Sequence, residues 1–78
     1  MTRVSFHTTL EDILSVPRGS LRESDTRETV ATWSSLADVQ ILTFISSEFG
    51  IEPDVELLQA ESVGDLLRLL EARRAITF

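Results

Sequence analysis

The chain of 78 residues contains no cysteine and no tyrosine, and all seven of its basic residues are arginines. The absence of cysteine excludes a disulfide scaffold, a thiolate metal site and a cysteine nucleophile. Aromatic residues make up only 6% of the chain. The core of the folded protein must therefore consist mainly of leucine, isoleucine and valine.

The sequence also lacks an apolar run approaching the ~20 residues of a membrane span, and its first residues lack the apolar region of a signal peptide. We therefore expect a cytoplasmic protein with no contact to a membrane. A length of 78 residues corresponds to one domain, residues 1–78, with no room for a second.

Charge of one sign dominates the chain: thirteen acidic residues against seven basic ones give a formal net charge of −6. An acidic surface repels phosphate backbones, so we expect no nucleic-acid binding. It would attract a protein with a basic patch, but the same charge also keeps a small monomer in solution. Charge alone does not separate these two roles.

The residue patterns of enzyme sites are missing as well. The single histidine, His7, lies near the N-terminus, where we expect a surface position and not a general base. No glycine-rich phosphate loop and no metal-ligand spacing is found. A chain this short rarely has the buried cleft that a catalytic pair of carboxylates needs. We therefore predict that the chain is not an enzyme and has no metal site.

A first helix is predicted near the N-terminus by apolar residues at helical spacing: Phe6, Leu10, Ile13 and Leu14. Its start is open between Ser5 and Thr8, and Thr8 or Thr9 would supply the cap. Its end is predicted near Val16, because Pro17 disfavours helical geometry in the residue before it.

Residues 17–34 form a long connection that contains three apolar residues, Leu21, Val30 and Trp33. A loop of this length in a small domain usually has a function. A flexible spacer is the alternative, and the three apolar anchors argue against it.

The strongest helix signal runs from the Ser34 and Ser35 pair to Phe49, and Gly50 would end this helix as a C-cap. One side carries an acid near the start, followed by core residues: Asp38, Ile41, Leu42, Ile45 and Phe49. The opposite side forms a mostly small and polar row: Leu36, Gln40, Thr43 and Ser47. Phe44 belongs to neither row, and we expect it at the boundary of the core.

Two further helices are predicted. Pro53 and Asp54 begin a short segment with three apolar residues: Val55, Leu57 and Leu58. Residues 62–65, Ser-Val-Gly-Asp, form a capping box that opens a last helix. Its apolar face is broad: Val63, Leu66, Leu67, Leu69 and Leu70. Its later turns carry arginines that suit the C-terminal dipole: Arg68, Arg73 and Arg74. The predicted fold is an all-α four-helix bundle with three main helices, one short helix and no strand.

Two serines, Ser34 and Ser35, stand where the long loop meets the second helix. A helix N-terminus presents unpaired N–H groups and a partial positive charge, so a serine there could carry a phosphodiester. Serine is also a favoured N-cap worth about 1 kcal/mol, and both serines would then only cap the helix. From these residues alone, capping is the simpler interpretation.

Ordered landmarks extend over nearly the whole chain: Leu14-Ser-Val-Pro-Arg-Gly-Ser-Leu21, Trp33-Ser-Ser-Leu36, Asp38-Val-Gln-Ile-Leu42, Glu48-Phe-Gly-Ile51, Pro53-Asp54 and Ser62-Val-Gly-Asp-Leu66. In their order and spacing the chain resembles the acyl carrier protein family, apart from a one-residue shortening between Phe49 and Pro53. The resemblance implies an acyl-carrier-protein-like bundle in which a long first loop leads to a modified serine.

By this resemblance Ser35 is the serine that receives 4′-phosphopantetheine from coenzyme A, through a separate Mg²⁺-dependent phosphopantetheinyl transferase. Trp33, Ser34 and Leu36 flank the attachment point. The arm ends in a thiol that carries an acyl or aminoacyl group as a thioester, for loading enzymes and for synthases or ligases. A chain without cysteine fits this use, because the reactive sulfur comes with the arm. The domain would be a shuttle and not a catalyst.

The chain departs from the family pattern at its second helix. Ser34 replaces the aspartate that precedes the modified serine in most carriers, so a carboxylate that could orient the transferase and its metal is lost. The helix also carries little charge, so a partner should bind mainly by shape and apolar burial. The expected contact residues are Leu36, Asp38, Gln40, Thr43 and Glu56.

Trp33 replaces the small residue often found two places before the modified serine. It either plugs the core beneath the loop or lines a groove for the arm or its cargo. The Trp-Ser-Ser-Leu motif and the low helix charge predict a carrier of polyketide or related secondary-metabolite biosynthesis. The alternative is a carrier-like helical interaction module in which Ser35 only caps the helix.

Overall fold

The computed structural model of the protein describes residues 1–52 and 54–75. Four helices follow one another along the chain: α1 Arg3–Leu14, α2 Ser35–Phe49, α3 Val55–Gln59 and α4 Val63–Ala72. Within these two ranges no residue belongs to a β-strand, although Thr26 and Ser62 form an isolated antiparallel bridge. The prediction of an all-α chain with three main helices and one short helix is confirmed. None of the described helices has the length and apolar character needed to cross a membrane.

The first helix begins earlier than the sequence predicts. Its N-cap is Thr2, whose hydroxyl accepts a hydrogen bond from the Ser5 N–H at 3.1 Å. The alternative start near Ser5 is confirmed to within two residues, whereas a start near Thr8 is wrong. The predicted caps are wrong as well, since the Thr9 hydroxyl donates back to the Ser5 carbonyl at 2.9 Å. The predicted end is confirmed to within two residues, since Ser15 leaves the helix in a left-handed conformation with φ of 57°.

The ends of α2 and α4 lie where the sequence predicts them. Ser34 caps α2 by accepting the Ala37 N–H at 3.3 Å, and Gly50 closes the helix with a left-handed φ of 65°. The capping box of α4 has both halves: Ser62 accepts from the Asp65 N–H, and the Asp65 carboxylate accepts from the Ser62 N–H. Local capping signals were therefore strong enough to fix both helices.

The short helix α3 presents only one side chain to the core. Asp54 caps it by accepting the Leu57 N–H at 3.0 Å, whereas Pro53, predicted to begin this segment, lies outside the described residues. Leu57 is buried, but Val55 and Leu58 are 65% and 60% exposed. A helix of five residues completes little more than one turn, so its apolar residues cannot all face inward.

The arginines that were predicted to complement the dipole of α4 have other positions. The last turn of α4 contains no base, because Arg73 and Arg74 follow the end of the helix. Arg68 pairs with Asp65 at the start of α4, and Arg73 Nη2 lies 2.5 Å from Asp54 Oδ2. The prediction is wrong for the last turn of α4, since Arg73 is the C-cap residue and Arg74 lies beyond it, while Arg68 and Arg73 bind carboxylates.

The core lies between the helices and the underside of the long loop. Its buried apolar residues are Phe6, Leu10, Leu14, Leu21, Val30, Trp33, Ala37, Ile41, Ile45, Leu57, Ala60, Val63, Leu66, Leu67 and Leu70. The three predicted loop anchors are among them. α1 packs against α2, where Phe6, Phe44 and Phe49 form a cluster with ring centroids 6.0 to 6.2 Å apart. Phe44 is half buried, as predicted.

Candidate functional site

The first part of the loop, residues 15–21, is fixed to α1 by a buried carboxylate. Glu11 is only 2% exposed, and its Oε2 accepts the N–H groups of Gly19 at 2.7 Å and Leu21 at 3.1 Å. His7, one turn earlier on α1, brings Nε2 to 2.6 Å from the Leu21 carbonyl oxygen. His7 was expected at the surface; its side chain keeps 27% exposure, but the ring also contacts the loop and is half buried.

The middle of the loop is fixed to the start of α4. The Val63 N–H donates to the Asp25 carbonyl at 3.1 Å, and the Gly64 N–H donates to the Glu23 carbonyl at 2.8 Å. A side chain at Gly64 would place its Cβ 3.1 Å from that Glu23 oxygen, a tight contact that glycine avoids. The Asp25 carboxylate accepts the Arg22 N–H and the Thr29 hydroxyl, and these bonds lower its pKa.

The last part of the loop is held by three side chains, which we name the clasp: Arg27, Trp33 and Asp38. Arg27 donates through Nε to Asp38 Oδ2 and through Nη2 to Asp38 Oδ1, both at 2.8 Å. The Trp33 Nε1–H donates to the same Oδ1 at 2.6 Å. The Arg27 guanidinium lies 5.2 Å from the centroid of the Trp33 ring, and its Nη1 donates to the Ala60 carbonyl at 3.0 Å. The clasp thus joins the loop to α2 and to the end of α3.

The electrostatics of the clasp favour an ionised Asp38. Partial burial alone would raise the pKa of this carboxyl. The hydrogen bonds from Arg27 and Trp33, together with the Arg27 charge, outweigh burial and hold the pKa of Asp38 below its usual value. Asp38 was predicted as a partner-contact residue; the structure places its carboxylate inward, against Arg27 and Trp33.

The two adjacent serines at the loop–helix junction have different environments. Ser34 is the N-cap of α2 and its hydroxyl accepts the Ala37 N–H, whereas Ser35 is the first helical residue and is exposed. Among the hydrogen bonds of the described residues, none involves the Ser35 hydroxyl. Ser35 therefore presents a free hydroxyl at a position that capping does not require.

The backbone on both sides of this hydroxyl is hydrogen-bonded. The Trp33 N–H donates to the Val30 carbonyl at 3.0 Å, and the Ser34 N–H donates to the Thr32 carbonyl at 2.9 Å. The Asp38 N–H donates to the Ser34 carbonyl at 3.0 Å, which begins the helical ladder. These bonds define the direction in which the chain enters α2.

Beside these serines lies an exposed apolar surface, which we name the α2–α3 patch: Leu36, Val39, Val55 and Leu58. Their exposed fractions are 68%, 59%, 65% and 60%. Leu42 from α2 and Leu58 from α3 line one small cavity, and Leu42 is one turn along the same helix face from Val39. The two halves of the patch are therefore neighbours.

Of the predicted partner residues, only Leu36 belongs to this patch. Leu36, Gln40 and Thr43 are exposed on α2, and Glu56 is exposed on α3. Sequence reasoning missed Val39, which is three residues from Leu36 on the helix surface, and it assigned Val55 and Leu58 to a generally apolar segment. The spacing of Leu36 to Val39 and of Val55 to Leu58 was the available signal.

A cavity of about 50 Å³ lies beneath the clasp, between α2 and α3. It is lined by Arg27, Trp33, Asp38, Ile41, Leu42, Leu57, Leu58, Ala60 and Leu66. This volume has room for no more than a few waters and not for an organic ligand. Trp33 is buried and fills the core beneath the loop, which is the first of its two predicted roles.

Among residues 1–52 and 54–75, no group of three or more His, Cys, Asp or Glu side chains is arranged to hold a metal ion. Comparison of the chain with protein-family models, with curated proteins and with solved structures gave no match.

Proposed function

We propose that the protein is an acyl carrier that holds its cargo on a 4′-phosphopantetheine arm attached to Ser35. The observation that carries this proposal is the division of roles between two adjacent serines. Ser34 caps α2, so the hydroxyl of Ser35 is left exposed and without a hydrogen bond among the described residues. A second serine that served only as a cap would have no such free hydroxyl.

The arrangement of the helices supports the same proposal. A long, anchored loop leads from α1 to a serine at the first position of α2, and α3 is much shorter than its neighbours. The landmarks of the family resemblance also coincide with structural boundaries. Glu48-Phe-Gly-Ile51 spans the C-cap Gly50 of α2, and Ser62-Val-Gly-Asp65 is the capping box of α4. We therefore assign the chain the acyl-carrier-protein-like fold as part of this proposal.

The surroundings of Ser35 suit a phosphodiester. The start of α2 contributes a partial positive charge and N–H groups, which favour an anion. Asp38 is the only acid in the first turn, and Arg27 neutralises its charge. A phosphate on Ser35 would therefore meet no unpaired carboxylate from this turn.

The chemistry of loading is a phosphoryl transfer on an outside enzyme. The Ser35 Oγ would attack the β-phosphorus of coenzyme A and form a new P–O bond. The bond from that phosphorus to the leaving group, adenosine 3′,5′-bisphosphate, would break, and the serine proton would pass to a base. The transferase and its Mg²⁺ provide that base and the charge stabilisation. Once attached, the arm supplies a thiol for thioester formation. This chain's contribution is to present a hydroxyl at a fixed place.

The partner surface follows from the α2–α3 patch. An apolar centre that includes Leu36 and Leu58 is flanked by exposed acids, Glu56 on α3 and Glu28 and Glu61 near Arg27. Two bases near the patch, Arg27 and Arg73, are paired with Asp38 and Asp54, which leaves Glu28, Glu56 and Glu61 as its exposed charges. We propose that transferase, loading and synthase or ligase enzymes bind here through an apolar contact. Their binding should weaken only modestly with added salt, since the patch centre is uncharged.

The cargo is proposed to be an acyl group of polyketide type or an aminoacyl group, in secondary-metabolite biosynthesis. On this proposal the loading enzyme chooses the cargo, and the domain only carries it. On this proposal the protein is a substrate for enzymes and not an enzyme.

Intact mass tests the attachment directly. The protein is incubated with coenzyme A, Mg²⁺ and a broad-specificity phosphopantetheinyl transferase, beside a Ser35→Ala variant. We expect wild type to gain one phosphopantetheine and the variant to gain none. A wild type that gains no mass, while a known carrier in the same reaction is fully modified, would overturn the proposal and favour an interaction module that uses the same patch.

A further inference from the structure

Arg27 holds the end of the loop in place and at the same time connects three separate parts of the chain around Ser35. Its side chain reaches three separate segments: Asp38 in the first turn of α2, the face of Trp33 before α2, and the Ala60 carbonyl after α3. A guanidinium is suited to this use, because it is planar and donates along several directions at once. The Arg27 and Asp38 side chains remain about a third exposed, at 36% and 30%, so they are not part of the sealed core.

The position of Ser35 depends on the residues that Arg27 holds. Trp33 precedes Ser35 by two residues and Asp38 follows it by three, and both bind Arg27. Trp33 and Asp38 are also hydrogen-bonded to each other at 2.6 Å. The segment that carries Ser35 is therefore closed into a short loop whose two ends meet at the Arg27 guanidinium.

The same side chain also relates Ser35 to the α2–α3 patch. Through the Ala60 carbonyl, Arg27 contacts the end of α3, and α3 contributes Val55 and Leu58 to the patch. Arg27 and Leu58 line one cavity. If the clasp broke, the start of α2 would no longer be held to the end of α3. The patch would then have no fixed position relative to the Ser35 hydroxyl.

We infer that Arg27 is a positioning residue for the loading of Ser35: it holds Ser35 and the α2–α3 patch in the single arrangement that a transferase binds. This inference rests on the proposed carrier function. A transferase that recognises one arrangement binds less tightly when that arrangement is only partly populated. Loss of the clasp should therefore raise KM for the carrier, whereas kcat should change little once the complex has formed.

The experiment measures transferase kinetics against carrier concentration for four proteins: wild type, Arg27→Gln, Arg27→Lys and Arg22→Gln. Arg22 is an exposed arginine of the same loop and is the matched control for the loss of one positive charge. We expect Arg27→Gln to raise KM at least fivefold with kcat within twofold of wild type. Arg27→Lys keeps the positive charge but loses the planar guanidinium that donates two hydrogen bonds to Asp38. Its KM should therefore lie between the KM values of wild type and Arg27→Gln. Arg22→Gln should match wild type.

Two controls separate positioning from loss of folding. Ile45→Val loosens the core of α2 away from the clasp, and at a temperature where every variant is fully folded by circular dichroism its KM should equal that of wild type. Trp33 is the single tryptophan, so its emission reports the clasp: it should shift to the red in Arg27→Gln and not in Arg22→Gln or Ile45→Val.

The failures of the two proposals are distinguishable. If wild type is not modified at all, the carrier function is wrong. If wild type is modified and Arg27→Gln shows the same KM and kcat, the carrier function stands and the positioning role of Arg27 is overturned. A KM for Arg27→Gln no higher than that of Ile45→Val would overturn it as well.

Discussion

The two ends of the long loop are anchored by different physical means. The end that leaves α1 is held by Glu11, a buried carboxylate that accepts two backbone N–H groups. The end that enters α2 is held by the clasp, in which Arg27 and Asp38 stay partly open to solvent. A buried carboxylate that satisfies backbone donors is costly to remove, whereas a partly exposed ion pair contributes less. The first anchor should therefore determine stability, and the second should determine how Ser35 is presented.

The largest predicted effect tests the first anchor. Glu11→Ala leaves the N–H groups of Gly19 and Leu21 without their acceptor, so we expect a loss of about 3 kcal/mol in the free energy of unfolding, measured by urea denaturation. Asp12→Ala, the exposed neighbour on the same helix, is the control and should change stability by less than about 0.5 kcal/mol. Equal losses in the two variants would contradict a structural role for the buried carboxylate.

The cap of α2 should have a smaller effect. Ser34→Ala removes the acceptor for the Ala37 N–H and should lower the free energy of unfolding by about 1 kcal/mol in the same measurement. Ser34→Asp keeps a capping oxygen and adds the carboxylate that most carriers have at this place, so it should keep stability and load at least as fast as wild type. Slower loading of Ser34→Asp would show that serine is the better residue here.

The clasp adds a pH dependence with a defined sign. The folded-state pKa of Asp38 is lowered, since bonds from Arg27 and Trp33 outweigh the opposing effect of burial. Its contribution to stability is therefore complete above the ordinary aspartate pKa of about 4 and is lost as the pH falls through the lower folded value. The stability difference between wild type and Asp38→Asn, measured by urea denaturation, should be largest at pH 7 and should shrink below about pH 4. A difference that stays constant from pH 7 to pH 3 would contradict this electrostatic role.

The smallest effect on stability is expected at the α2–α3 patch. Leu58 is 60% exposed, so Leu58→Ser should change the free energy of unfolding by less than about 0.5 kcal/mol. The same change should reduce transferase kcat/KM, because the patch lies beside Ser35. Val4→Ser on α1, where Val4 is 77% exposed, is the matched control and should load like wild type. Equal loading rates for both variants would remove the patch from the partner surface.

Much of the fold could be predicted because local signals agreed with one another. Ser34, Gly50 and the capping box at Ser62 each satisfy backbone groups within their own turn, so neighbouring residues are sufficient to place them. Leu21, Val30 and Trp33 were recognisable as anchors because large apolar residues in a polar loop have few other uses. The cap of α1 was missed because Thr2 precedes a segment of weak helix formers, which packing against α2 holds in place.

The position of Ser35 at the start of α2 was predictable, but the contacts around it were not, and its chemistry stays a prediction. The clasp joins residues 27, 33, 38 and 60, and no local pattern relates Arg27 to Asp38 or to Ala60. The contact of His7 was not predictable for the same reason, since its partner is a backbone carbonyl fourteen positions away. Contacts between distant segments depend on how the loop folds over the helices, and sequence periodicity does not contain that information.

The central claim is that Ser34 caps α2 and that Ser35 carries the arm. The two matched alanine variants test this claim most directly. Each purified protein is loaded by the same transferase and analysed by intact mass, and its urea denaturation is recorded in parallel. We predict that Ser34→Ala loses stability but still gains one phosphopantetheine, whereas Ser35→Ala keeps its stability and gains none. Loading of Ser35→Ala, or a loss of stability in Ser35→Ala equal to that in Ser34→Ala, would contradict the claim.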